Sequence, residues 1–230
     1  MRGSNLDCVR QRRHEARHGE HPAGRMLVEQ SEQASFKRTS SKIHRNVRKI
    51  RAMTKYYVIP IDSDCIGYFG IKEATSPYDD TPWFCGGCPQ AFGGNDQGGI
   101  SETLYRETLE ESHMKVSLVQ GASYYKKVHE HNGMNFWVCT KFSYEPSSTL
   151  PNFLRRREEK YRETTGAVLK VDMAEVPTTN REAAATRVLQ VYFRRTGSRP
   201  KPQSINQSLT SETAEAIRKA AEVVQSGSLP

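Results

Sequence analysis

No apolar run in this 230-residue chain approaches the about eighteen residues that a membrane-spanning helix needs, which excludes such a span. A mean hydropathy of −0.73 agrees, and a soluble chain is expected. Met1-Arg2-Gly3-Ser4 leads into charged residues instead of an apolar stretch, so a secretory leader is not expected. Cysteine is scarce. Cys8, Cys65, Cys85, Cys88 and Cys139 are odd in number and too dispersed for a disulfide-stapled scaffold, which suits a reducing cytoplasm. Acidic residues are scarce at one end only: residues 1–55 hold 14 Lys and Arg against 5 Asp and Glu, whereas 56–230 hold 20 against 21. The sequence pI of 9.3 therefore describes a basic arm, and the reading of high pI as nucleic-acid binding applies at most to that arm, whose charge run otherwise reads as solvated.

Residues 1–52 carry one aromatic, Phe36, and four of the seven histidines, with no sustained periodicity; a disordered arm is expected. Met53 stands where strand-like composition begins abruptly, at Thr54-Lys55-Tyr56-Tyr57-Val58-Ile59, and is the expected native start. Residues 53–197 read as one mixed domain and 198–230 as a Pro-rich linker plus a helix. Strands are expected at Tyr56–Ile61, Cys65–Ile71 and Trp83–Cys85, followed by a glycine-rich loop over 89–99 and a helix from Ile100 to Ser112. Val116–Glu130 and Met134–Tyr144 read as two long strands around the hairpin signal Asn132-Gly133. The Arg155-Arg156-Arg157-Glu158-Glu159-Lys160 run reads as a solvated loop or short helix, and Ala167–Val171 as a short strand. Helices are expected at Arg181–Arg195, with Ala184, Val188, Val191 and Tyr192 on one face, and at Ser211–Gln225, with Ala214, Ile217, Ala221 and Val224 in one stripe. That last stripe would dock on the domain or on a partner.

Chemistry concentrates in Arg106-Glu107-Thr108-Leu109-Glu110-Glu111. On a helix, positions i, i+3 and i+4 share one side, so Glu107, Glu110 and Glu111 crowd together. Their mutual repulsion costs a few tenths of a kcal/mol per pair unless a cation sits against them. A divalent metal is the natural candidate, with oxygen donors suited to a hard ion such as Mg²⁺ or Mn²⁺. Leu104, Tyr105, Thr108 and Leu109 would seat the helix on a sheet, and Arg106 would brace a glutamate. The preceding glycines would let backbone bend against a phosphate or metal.

Gly93-Gly94 followed by Arg106-Glu107-Thr108-Leu109-Glu110-Glu111-Ser112 resembles the Nudix box, Gly-x5-Glu-x7-Arg-Glu-U-x-Glu-Glu-x-Gly-U with U aliphatic. The order of elements over Tyr56–Gly197 is similar to the α/β/α sandwich with mixed sheet of that family. Counted back from Arg106, the box glycine falls on Phe92 and the first glutamate on Gly98. Gly93-Gly94 fit only with a shortened loop, and Asp96, Glu102 or nothing replaces the missing carboxylate. Thr108 takes the aliphatic position and His113 the final glycine, while Met114 fits the last apolar place.

The resemblance implies a hydrolase cleaving a phosphoanhydride in a nucleoside diphosphate linked to another moiety. Glu107, Glu110 and Glu111 would bind Mg²⁺ or Mn²⁺, Arg106 would orient Glu107, and Gly93 and Gly94 would contact the bound group. A general base comes either from the box or from a later acid such as Glu163. A homodimer is the family tendency. The alternative is a catalytically impaired Nudix-like module that binds a nucleotide or a protein. Cys85-Gly86-Gly87-Cys88 would hold zinc if His129 and His131 joined it, and otherwise forms a tight strand-loop junction. Among Trp83, Tyr105, Tyr124, Tyr125, Phe136 and Trp137, most read as core and one as a base-stacking platform.

Overall fold

Alternation along the strands divides their apolar side chains between two cores. On strand β1 (Lys55–Pro60), Val58 enters one core and Ile59 the other; on β2 (Ile66–Lys72), Tyr68 and Phe69 separate in the same way. Strands buried on both faces must be covered on both faces. This computed structural model describes residues 54–197 and 209–230; the basic arm, Met53 and the linker before residue 209 lie outside the described residues.

The remaining strands are β3 (Pro89–Gln90), β4 (Phe92–Asn95), β5 (Val116–Leu118), β6 (Tyr125–His131), β7 (Met134–Cys139), β8 (Phe142–Tyr144) and β9 (Thr164–Asp172). One sheet runs β4-β1-β7-β6 and is mixed, since β1 is parallel to β7 and antiparallel to β4. A second runs β3-β2-β9, and β5 pairs with β8. Helix α1 (Ile100–Glu111) covers one core, inserting Leu104 beside Val58, Phe92 and Val116. Helices α3 (Arg181–Thr196) and α4 (Ser211–Gln225) cover the other, around Ile59, Phe69, Phe136 and Leu169. The described residues thus form an α+β fold with helices on both sides of the strands. None of their helices is long and apolar enough to cross a membrane.

Several expectations need correction. The 83–85 segment is a turn, with the Gly86 N–H bonded to the Trp83 carbonyl and Cys85 at φ 56, and the strands lie beyond it at β3 and β4. Gly93 and Gly94 are therefore in a strand, opposite Tyr57 and Tyr56, and not in a loop. The long strand over 116–130 breaks after Leu118, where a short 3₁₀ turn at Ala122–Tyr124 separates β5 from β6. Asn132 (φ 48) and Gly133 (φ 79) do close the β6-β7 hairpin, with the left-handed pair such a two-residue turn demands.

The arginine run begins as helix α2 (Asn152–Arg157). On α3 Ala184 and Val188 of the expected stripe are buried together with Ala185 and Leu189, and Val191 and Tyr192 are half-buried against the same core. The α4 stripe is buried as expected, together with Ala216 and Ala220, and packs within the same chain. Thr210 caps α4 by accepting the Thr213 N–H at 3.1 Å.

Candidate active site

Helix α1 is seated by Thr103, Leu104 and Thr108, which are fully buried; at about 100° per residue Glu107 and Glu111 fall within the same arc and Glu110 at its edge, so the carboxylates are half-buried beside the packed face. Its N-cap is Gly99, which offers no side chain to cap the helix. The turn before it is held instead by Asp96, whose Oδ1 accepts the Gly98 and Gly99 N–H groups at 3.3 and 3.0 Å. Asp96 is thereby committed to the turn. Glu102 behaves differently: a Cβ on Gly98 would meet its Oε2 at 2.6 Å, so the Glu102 carboxylate fills the space a longer residue 98 would enter.

Arg106 braces two glutamates. Its Nη2 lies 2.6 Å from Glu107 Oε1 and its Nη1 3.3 Å from Glu110 Oε2, and both carboxylate side chains are only 15% exposed. Glu111 turns toward the strands, where Oε2 accepts the Gly93 N–H at 2.8 Å and Oε1 accepts from Gln90 Nε2 at 3.1 Å. Gly93 is required there, because a Cβ would stand 2.0 Å from the Tyr56 carbonyl oxygen. Burial pushes the Glu111 carboxyl well above the ordinary carboxylate range. The Gly93 hydrogen bond opposes this, and the charges of Glu107, Glu163 and Glu110 reinforce it. Burial also raises Glu107, against the pull of Arg106.

The helix ends at His113 (φ 51) and Met114 (φ 68), both left-handed, at the place where glycine is usual. His113 sits there because its ring is buried, with Nε2 3.1 Å from the Tyr161 carbonyl oxygen and its plane edge-on to the Tyr161 ring. Met114, which fits the last apolar place of the box, is 49% exposed.

Beside α1 opens a cleft of about 470 Å³ lined by Lys55, Lys72, Trp83, Phe84, Glu111 and Glu163, with Tyr57, Gln90, Asn95 and the Gly93-Gly94 backbone also on its wall. Lys72 Nζ lies over the Trp83 ring at 4.6 Å, and Phe84 is 68% exposed. Tyr57 stacks on Phe136 at 4.9 Å, and burial followed by the charges of Glu111 and Glu107 pushes its phenol up to about 12. Glu107 and Glu110 do not line this cleft; Glu107 reaches its wall at Gly94. No family model matches the chain, and no curated protein matches it.

One solved structure that it resembles comes from a study of MutT from the fish pathogen Aliivibrio salmonicida and from Vibrio cholerae. The match has 14% identity and a TM-score of 0.34, covering 60% of this chain and 98% of that one.

The donor chemistry of α1 suits a hard divalent cation: carboxylate oxygens only, two of them held above their ordinary range by burial. The side chains are not gathered for one, since among the described residues no three His, Cys, Asp or Glu converge on a common point. Arg106 takes the cation's place between Glu107 and Glu110.

The same observation separates the zinc candidates. Cys85 and Cys88 lie beside β2, where Gly87 N–H bonds the Lys72 carbonyl, while His129 and His131 are on β6 at the edge of the other sheet. The His129 ring is 5.8 Å from Phe136 and His131 is exposed. Lys55, Tyr57, Lys72 and Gln90 were not singled out from the sequence. The one signal for the first two was strand alternation, which puts i and i+2 on a common face.

Proposed function

We propose that the chain is a Nudix-type pyrophosphohydrolase that uses Mg²⁺ or Mn²⁺ to cleave a phosphoanhydride in a nucleoside diphosphate derivative. The observation that carries this reading is the cleft itself: Glu111 of α1 and Glu163 of the loop before β9 open into one cavity with Lys55, Lys72 and three aromatic side chains. Glu107, Glu110 and Glu111 would hold the cation, which when bound neutralises phosphate oxygens and lowers the pKa of an attacking water.

Lys55 and Lys72 bind the non-bridging phosphate oxygens. Trp83 and Phe84, at the outer wall, stack on a base. Glu163, exposed and facing the cleft, accepts the proton of the water. Arg106 pairs with Glu107 and Glu110 and would orient them for the cation, giving up those contacts if they were to ligate it. Such a reaction suits a cytoplasmic setting.

A second reading is a Nudix-like module that binds a nucleotide or protein without cleaving it; Arg106 already satisfying two of the three carboxylates favours it. The separating experiment follows release of phosphate or nucleotide from NADH, ADP-ribose, diadenosine polyphosphates, nucleoside diphosphate sugars and nucleoside triphosphates, with Mg²⁺, with Mn²⁺ and with EDTA. The hydrolase gives chelator-sensitive cleavage of at least one compound, abolished in Glu110→Gln and Glu111→Gln. The binding module gives none, with ligand affinity that survives both substitutions.

A further inference from the structure

The arginine run that reads as solvated surface lines a second cavity. It measures about 510 Å³ and is walled by Glu73, Ser76, Asp80, Arg155, Arg156 and Arg162, with Thr75, Pro77 and Asn152 completing it. Three guanidinium groups face two carboxylates. One of those, Glu73, is already paired with Arg155, and Asp80 is exposed at the chain surface. Arg156 makes no ion pair among the described residues. Arg162 donates through Nη2 to the Arg156 carbonyl, which turns its fork toward α2, while its Nε is buried without any acceptor. A buried guanidinium N–H left unpaired costs more than an exposed one.

We propose that this cavity is a phosphate-binding site, separate from the carboxylate cleft, in which Arg156 and Arg162 grip a phosphate group. Guanidinium forks match the paired oxygens of phosphate and stay charged at every accessible pH. The two cavities stand back to back on one pair of chain segments: Lys72 and Glu163 line the cleft, their neighbours Glu73 and Arg162 line the second cavity, and the Glu73 N–H bonds the Glu163 carbonyl at 3.0 Å. The same chemistry has two sources, a distal phosphate of the molecule held in the cleft or a separate phosphate-bearing ligand. The proposal stands whether or not the cleft hydrolyses anything.

The test is calorimetric titration of the full chain with inorganic pyrophosphate in EDTA, where Glu111 and Glu163 oppose phosphate in the cleft. One equivalent is expected to bind, with affinity falling as salt is raised. Arg156→Gln and Arg162→Gln each weaken binding tenfold or more, and Arg162→Lys retains part of it. Arg156 is exposed, so its replacement leaves the fold in place. Absence of binding, equal binding by Arg156→Gln, or succinate binding as tightly as pyrophosphate overturns the proposal. Repeating the titration with saturating diadenosine tetraphosphate, which carries phosphates beyond the one anhydride held in the cleft, assigns the source: competition supports a distal phosphate of the cleft ligand, and unchanged affinity supports a separate ligand. Because the titration is read in EDTA, where nothing is hydrolysed, weakened binding in Arg156→Gln stands or falls independently of the hydrolase reading.

Discussion

The carboxylate of Glu107 occupies the space into which a side chain on Gly94 would project: a Cβ there would lie 2.8 Å from its Cδ and Oε1 and 2.9 Å from its Oε2. The obstacle is the tip of a flexible side chain, so Gly94→Ala is expected to leave stability almost unchanged while displacing Glu107 from the wall of the cleft. Its thermal midpoint should match the parent, and Mn²⁺-dependent turnover should fall at least tenfold. Unchanged turnover in Gly94→Ala would remove Glu107 from the proposed machinery.

Glu111 is a carboxylate held high by burial, and its sign with pH is definite. A group whose folded pKa exceeds its unfolded value binds more protons when folded, so its contribution to stability is present below the unfolded value of about 4.3 and is lost as pH rises through the folded one. At neutral pH, without metal, Glu111→Gln is therefore expected to melt higher than the parent while abolishing turnover. At pH 4 the two melting points should converge. Thermal unfolding in EDTA across pH 4–8 tests this, and a lower melting point of the variant at pH 7 would contradict it.

His113 and Gly166 form a coupled pair. Gly166 has φ +68, and a Cβ on it would meet the His113 Nδ1 at 2.2 Å. Gly166→Ala is expected to be severely destabilising in the parent and markedly less so in a His113→Gly background, where the backbone strain remains but the collision is gone. Denaturant unfolding of both single variants and the double variant gives the coupling. Additive effects would mean that the ring moves aside at no cost.

Helix α4 is part of the core and not an appended arm. Ile217 is fully buried in the cluster that includes Phe136 and Val188. Ile217→Ala is expected to cost about 2–5 kcal/mol by leaving a cavity. A loss under 1 kcal/mol, measured by urea unfolding, would show α4 to be only loosely docked.

Periodicity along the chain was enough to identify the long helices and much of their apolar sides, but not the short helix α2. The Ala214, Ile217, Ala221 and Val224 stripe is buried as its spacing predicts, and the Asn132-Gly133 turn falls where two left-handed residues are needed. These are local properties, set by side-chain spacing and backbone sterics within a few residues. Periodicity misplaced the glycines, because Gly93 and Gly94 look like loop residues until a partner strand and two glutamates are known to approach them. Likewise Glu107, Glu110 and Glu111 could be grouped on one helix face from their spacing. That Arg106 claims two of them and the backbone of β4 claims the third depends on the packing of α1 against strands formed elsewhere in the chain. Lys55, Lys72, Trp83 and Glu163 are far apart along the chain, and only tertiary structure puts them around one cleft. Sequence alone determined which segments are amphipathic and where acid crowds on a helix. Tertiary structure decided which charges meet, because a salt bridge or a cleft is a relation between distant segments and leaves no period in either of them.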